Sequence, residues 1–390
     1  MPDQNQNIIS GAAETQPASP ARLAAERAGG YGQISTRPGA SIEALLDEAI
    51  EKNASDLHLI VGVAPTLRVD GKLVVISNQP KLDDAKCEEL IKSVLAQDKN
   101  RLAELDKERE IDFSFGYREM RFRANIYYER GNIAGEFRLI PSKIRSLAEL
   151  GLPPILEKFT TPSQGFVIVA GPTGHGKSTT IAALIETINK NQAKTIITIE
   201  DPIEYVFEHK KGIISQREVG GDTLTFERGL RAALREDPNV VFVGEMRDLE
   251  TTRAALTIAE TGHLVFTTLH TNDAAQTADR IIDIFPPHQQ SQVRQQFANV
   301  LLGIISQRLL PKVAGGRMVA CEILIANSAV RNLIREGKTH QISSVIQTAA
   351  AEGMVSLDKV LAELISRGEI TIDVALDWAQ NPKMLKTMIY

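Results

Sequence analysis

Apolar positions change their spacing several times along the chain, and each change predicts a new kind of element. Behind Ser41, which can cap a first turn, Ile42, Leu45, Leu46, Ala49 and Ile50 recur at helical intervals and predict a helix. Strand-like segments follow: DLHLIVG, PTLRVDGKLVVI, IDFSFGY, RFRANIYYER and GEFRLIP alternate apolar with polar residues or concentrate β-branched and aromatic ones. Asp70-Gly71 and Arg130-Gly131 read as turns between them. Asp84 to Leu105 carries helical spacing. Residues 41–145 are thus predicted to form an N-terminal α+β domain of about one hundred residues, an ordinary domain size.

After Pro153-Pro154 the pattern becomes apolar strand runs alternating with amphipathic helices, which predicts a mostly parallel sheet covered on both faces across residues 146–315. Beyond Gly315-Gly316, the segments 328–337, 340–351, 356–366 and 372–379 look helical, so residues 316–390 are predicted to be a mostly helical cap. Residues 1–40 mix Gln, Ala, Ser, Gly and Pro with few large apolar groups; too little surface is buried to offset ordering entropy, and a disordered tail is predicted.

Composition narrows the class. A chain of 390 residues with 43% hydrophobic residues can build two or three ordinary cores. Its net charge of -5 offers no broad basic surface, which argues against nucleic acid as a partner. Cys87 and Cys321 lie far apart, so neither a disulfide framework nor a four-cysteine zinc site is expected, and a reducing cytoplasm fits. No run of eighteen apolar residues occurs, and Met1 to Ser10 lack the order of a secretory signal; a cytoplasmic protein without direct membrane insertion is expected.

The chemistry concentrates in the central segment. GFVIVA runs into Gly171-Pro172-Thr173-Gly174-His175-Gly176-Lys177-Ser178 and on through Thr179 into a helix with Ile181, Leu184, Ile185 and Ile188 on one face. Strand, glycine-rich loop and helix in that order form a phosphate cradle. Backbone N–H groups point at phosphate oxygens, the helix start adds positive potential, Lys177 reaches the β and γ phosphates, and Ser178 can ligate magnesium. Magnesium-ATP is the ligand this implies. His175 is expected to contribute only its backbone.

Ligands of open α/β sheets gather beyond the carboxyl ends of the strands, where three apolar runs end in polar residues. TIITI ends in Glu200-Asp201-Pro202-Ile203-Glu204, NVVFVG in Glu245-Met246-Arg247-Asp248, and HLVFTTL in His270. Glu245 is placed to hold magnesium through water or to orient the attacking water. Glu204 and Glu200 offer a second acidic group near the γ phosphate, one of them positioning water. His263 and His270 bracket a strand, where an imidazole can hydrogen-bond the γ phosphate or relay its loss; no third ligand accompanies them for metal binding.

Taken together, GPTGHGKS, TIEDPIEY, VFVGEMRDLET and TGHLVFTTLHT resemble the Walker A, aspartate box, atypical Walker B and histidine box of the secretion ATPase superfamily. Within it, ASDLHL, RFRAN, SQREVG and RGLRAALREDPNVVFVGEMRD look like the PilT-type retraction ATPases of type IV pili, over about residues 41–366. The resemblance implies a RecA-like P-loop NTPase core, an N-terminal α+β (PAS-like) domain and a helical C-terminal cap. It also implies a homo-hexamer working on an inner-membrane pilus platform protein, with a second retraction ATPase as a further partner.

By the same resemblance Glu245 is the Walker B acid, Glu204 the aspartate-box glutamate, and His263 and His270 the histidine-box residues. Arg123 and Arg138 are the arginines that approach the nucleotide at subunit contacts, neutralising charge on the transferred phosphoryl group. Val330-Arg331-Asn332-Leu333-Ile334-Arg335-Glu336 matches most of the retraction-linked motif. Competing expectations are a paralogous pilus-extension or type II secretion ATPase, a nucleic-acid translocase, and a nucleotide-binding regulator without turnover. The final WAQNPKMLKTMIY has no assigned counterpart.

Overall fold

The computed structural model describes residues 40–389 apart from 70, 97, 98, 119, 141 and 142. Residues 1–39 of the expected 1–40 tail, Asp70 of the first predicted turn and Tyr390 lie outside the described residues, while Ala40, placed in that tail, is buried in the N-terminal core.

The first helix, α1 (Ile42–Glu51), is capped by the Ser41 side chain and buries Ile42, Leu45, Leu46 and Ala49. It packs on a six-stranded antiparallel sheet made of β1 (Asp56–Leu59), β2 (Thr66–Val69), β3 (Lys72–Val75), β4 (Glu110–Tyr117), β5 (Met120–Glu129) and β6 (Asn132–Ile140), in the order β3-β2-β1-β6-β5-β4. Between β3 and β4 the single predicted helix is two, α2 (Asp84–Leu95) and α3 (Lys99–Glu108). One face of the sheet, with Leu57, Leu67, Phe122 and Phe137, supplies the core beneath them. The other turns Arg123 and Arg138, paired in register on adjacent strands, toward the second sheet.

The second sheet has seven strands, ordered β13-β12-β7-β11-β10-β8-β9. They are β7 (Gly165–Ala170), β8 (Thr195–Glu200), β9 (Ile213–Glu218), β10 (Val240–Val243), β11 (Leu264–Leu269), β12 (Leu301–Pro311) and β13 (Arg317–Ile325). All pair in parallel except β12 with β13. Side chains alternate across β7, so Phe166, Ile168 and Ala170 enter one core while Val167 and Val169 enter another. Burial on both faces explains why these strands read as unbroken apolar runs. The covering helices include α4 (Lys177–Asn191), α5 (Phe226–Ala233), α6 (Leu249–Glu260), α7 (Ala274–Asp283) and α8 (Pro287–Val300).

The helical cap expected from residue 316 opens instead with β13, which extends the core sheet from its antiparallel edge. Helices start only at α9 (Ser328–Arg335), followed by α10 (Ile342–Thr348), α11 (Leu357–Ser366), α12 (Ile372–Trp378) and α13 (Pro382–Ile389). The last three close over Leu310 and Ala320 of the sheet through Leu361, Ala375 and Leu385. Among the described residues no helix is long and apolar enough to cross a membrane. The two sheets meet where Arg121 of β5 pairs with Glu218 of β9 at 3.0 Å.

Candidate active site

Local backbone geometry explains the phosphate loop. Gly171 leaves β7 at φ +147°, and a Cβ there would meet the Gln307 carbonyl oxygen at 2.5 Å. Gly176 holds the left-handed φ of +80° as the first residue before α4. Between them the chain curls beneath the helix start, where free N–H groups and the helix dipole favour an anion. Lys177 is buried, and its Nζ donates to the Gly171 and Pro172 carbonyls at 2.9 and 3.0 Å. Burial lowers its pKa from the ordinary lysine value, while the charges of Glu245 and Glu204 oppose that shift.

A cleft of about 470 Å³ opens in front of this loop. Thr173, Gly174, Gly176, Lys177, Ser178 and Thr179 form its floor; Glu200, Asp201 and Glu204 come from the end of β8, Gly244 and Glu245 from β10, Thr268 and His270 from β11, and Arg123 and Arg138 from the N-terminal sheet. Parallel strands place all their carboxyl ends on one edge, which gathers residues distant in sequence.

His270 Nδ1 faces Thr173 Oγ1 at 3.3 Å and Lys177 Nζ at 3.4 Å, so the neutral ring accepts from the lysine. Its Nε2 lies 3.6 Å from Glu245 Oε2, too long for a hydrogen bond. Burial, then the charge of Lys177, lowers the His270 pKa. Glu245 also pairs with Arg247. Glu200 is 5% exposed and accepts from Thr198 Oγ1 at 2.6 Å and Gln216 Nε2 at 3.2 Å. Burial pushes its carboxyl up to about 7. Arg138 is held by Asp56 at 2.7 Å and Glu136 at 3.1 Å, whereas among the described residues the ion pair of Arg123 is with Asp112 at 3.9 Å.

One expected residue stands elsewhere. His263 precedes β11 at the amino edge of the sheet: its carbonyl accepts from Gly165 N–H, at the start of β7, and its ring contacts the Ile258 carbonyl and Thr261 Oγ1 at 3.0 and 3.1 Å. The full length of a six-residue strand, about 20 Å, separates it from His270, so it does not reach the γ-phosphate position within this chain. His175 turns its side chain out of the cleft, where its Nδ1 accepts from the Leu309 N–H at 3.0 Å. Both arginines line this chain's own cleft, an arrangement the expected approach across a subunit contact did not include.

The family described as type II/IV secretion system protein matches residues 39–373. The chain belongs to that family. Within this secretion family it is 46% identical over 343 residues to the type IV pilus retraction ATPase PilT of Pseudomonas aeruginosa, covering 88% of this chain and 99% of that one. It is 45% identical over 347 residues to a twitching motility protein of Neisseria gonorrhoeae, covering 88% and 92%. A crystal structure of the pilus retraction motor PilT with bound ADP matches with a TM-score of 0.83 at 49% identity, covering 89% of this chain and 99% of the other. The resemblance read from the motifs and the RecA-like fold class expected with it are both borne out.

The secretion-family motifs left several cleft residues unread. Thr268 donates to the Gly244 carbonyl at 2.6 Å and ties the ends of β10 and β11 together. Gln307 accepts from Thr180 Oγ1 at 2.8 Å and donates to the His175 carbonyl at 2.6 Å, fastening the phosphate loop to β12. The signal for Gln307 was present: Ser306-Gln307-Arg308 interrupts an otherwise apolar strand, and polar side chains there need partners. A second pocket of about 290 Å³ shares Gly174, Gly176 and Thr179 with the cleft and adds Arg145, Leu150, Leu152 and Met318.

Proposed function

We propose that this chain hydrolyses magnesium-ATP in a six-membered ring, and that the ring drives retraction of type IV pili through an inner-membrane platform protein. One observation carries the reading: a single cleft joins the phosphate loop to Glu204, Glu245, His270, Arg123 and Arg138. Similarity over most of the chain to the PilT of Pseudomonas aeruginosa, and to a PilT structure that carries ADP, supports it.

The triphosphate lies on the amides from Thr173 to Ser178, with its base in the adjoining pocket lined by Leu150, Leu152 and Met318. Lys177 turns from the Gly171 and Pro172 carbonyls to the β and γ phosphates, because an anion outbids two neutral acceptors. The Ser178 hydroxyl and the Glu245 carboxylate are oxygen donors that would hold magnesium, which would supply charge neutralisation to the phosphates when bound. Glu245, freed from Arg247, orients the attacking water, and Glu204 offers a second carboxylate beside it. Arg123 and Arg138 offset charge on the transferred group; because they sit on the N-terminal sheet, loss of phosphate loosens one sheet from the other. His270, between Lys177 and Glu245, registers that loss at the end of β11.

Phosphate release from purified wild type and Glu245→Gln, with mass measured alongside, tests this. Wild type is expected to turn over as a hexamer and the variant to be slower by at least about a hundredfold. Equal rates would remove Glu245 from the mechanism, and a persistent monomer would remove the ring. Deleting the gene is expected to leave hyperpiliated, non-retracting cells, whereas bald cells would assign the chain to pilus extension.

A further inference from the structure

Trp378 closes α12, beyond the last residue matched by the secretion family. Its ring meets that of His175 edge to face, with centroids 5.0 Å apart and planes at 64°. On the same tryptophan, the Arg308 guanidinium carbon sits 5.6 Å from the ring centroid. Neither partner lines the nucleotide cleft itself, but each is bonded to segments that flank it. His175 is a phosphate-loop residue whose ring and carbonyl are bonded to β12 through Leu309 and Gln307. Arg308 is 4% exposed and donates to the carbonyl and side chain of Asn272, two residues past His270.

The segment carrying Trp378 is itself tied down by buried carboxylates. Asp358 accepts from the backbone N–H groups of Gln380 and Asn381 at 2.8 and 2.9 Å. Glu322 accepts from the Gln380 side chain at 2.8 Å and, through its other oxygen, from the Ala274 N–H that begins α7 after His270. These two acids are 5% and 2% exposed; burying a carboxylate is costly unless it is hydrogen-bonded, and the groups that satisfy both acids include the residues just after Trp378. Burial also keeps His175 below the ordinary imidazole pKa, which suits a neutral ring accepting the Leu309 bond.

We infer that Trp378 is a positioning residue for nucleotide binding: by packing on His175 and Arg308 it braces the phosphate loop and the His270 loop together from the side opposite the cleft. The inference rests on the ATPase reading above. An occupied loop pulls its amides toward phosphate and shifts His175 beneath the indole, so the C-terminal helices feel the state of the site.

Trp378 is the chain's one tryptophan, so its emission reports on the contact without an added probe. Titrating full-length wild type with magnesium-ADP and magnesium-ATP is expected to change that emission saturably, with the ATP half-point at the concentration that half-saturates turnover. Lys177→Ala is expected to show no change. In steady-state kinetics Trp378→Ala should raise the KM for ATP about fivefold, the equivalent of one aromatic pair, with kcat falling less than KM rises. Trp378→Phe should restore most of the affinity, and His175→Ala combined with Trp378→Ala should bind no worse than Trp378→Ala alone. Unmoved emission in a protein that hydrolyses ATP, or additive losses in the double variant, would overturn the brace. Absence of hydrolysis by wild type would overturn the ATPase reading and the brace with it. The emission titration uses wild type, so it decides the matter even where a variant does not fold.

Discussion

Glu200 shows how far one environment moves one carboxyl. It lies at the end of β8, and with Thr198 and Gln216 as donors it still titrates at about 7, because burial outweighs both hydrogen bonds. Its folded pKa stands above the ordinary glutamate value of 4.5, so the folded state prefers the protonated form. The associated stability is fully present below about pH 4.5 and is lost as pH rises through 7. Glu200→Gln keeps an acceptor oxygen for Thr198 and removes the charge. Urea unfolding is expected to show the variant nearly equal to wild type at pH 4.5 and about 3 kcal/mol more stable at pH 8. The two arginines differ in the opposite sense. Arg138, although the more exposed of the two, is held in place by Asp56 and Glu136, while among the described residues the ion pair of Arg123 is with Asp112 at 3.9 Å. Arg138→Ala is therefore expected to lower kcat at saturating ATP by about a hundredfold or more, and Arg123→Ala by less, because a preorganised charge stabilises developing charge better than a mobile one.

At the scale of elements, VRNLIRE acquires a concrete duty. Val330 and Ile334 are buried on the inner face of α9. Arg331 reaches across to the end of α8, donating to the carbonyls of Ala298, Asn299 and Leu301, and back to that of Ala326. The Ala298 and Asn299 carbonyls stand in the last turn of α8, where acceptors lack helical partners, and one guanidinium serves them together with the other two. Arg331→Ala is expected to lower stability by about 2 kcal/mol, read as a drop in thermal midpoint. A lysine there should recover only part of it, since an ammonium cannot fan its donors over four acceptors. The junction of β12 with the rest is equally tight: a Cβ on Gly303 would stand 2.4 Å from the Phe159 ring and 2.6 Å from the Leu324 carbonyl. Gly303→Ala is expected to cost about 1–3 kcal/mol by the same measurement.

For the molecule as a whole, the cleft exists because two sheets face each other, and Arg121 with Glu218 marks the contact. Reversing one charge should part the sheets where the arginines must approach the nucleotide. Arg121→Glu is expected to raise the KM for ATP about tenfold, and the swap with Glu218→Arg to restore it; a swap as poor as the single variant would mean the pair does not align the sheets. Much of this architecture was legible beforehand. The parallel core was, because strands buried on both faces must be apolar throughout, as GFVIVA and HLVFTTL are. The phosphate loop was, because its glycines and lysine act through backbone and sequence-adjacent atoms. The Walker B and aspartate-box acids follow from the same rule, standing directly after apolar runs. What sequence order could not supply was distance across the sheet. His263 and His270 look equivalent in a linear motif, and a strand's length puts only one at the phosphate edge. Gln307 and Arg308 lie about seventy residues before Trp378 with no pattern linking them to it, yet the pairing of β12 with β7 and the closure of α12 bring all three against the back of the phosphate loop. Local spacing determines which groups the backbone presents at an edge; only packing between distant elements decides which of them meet.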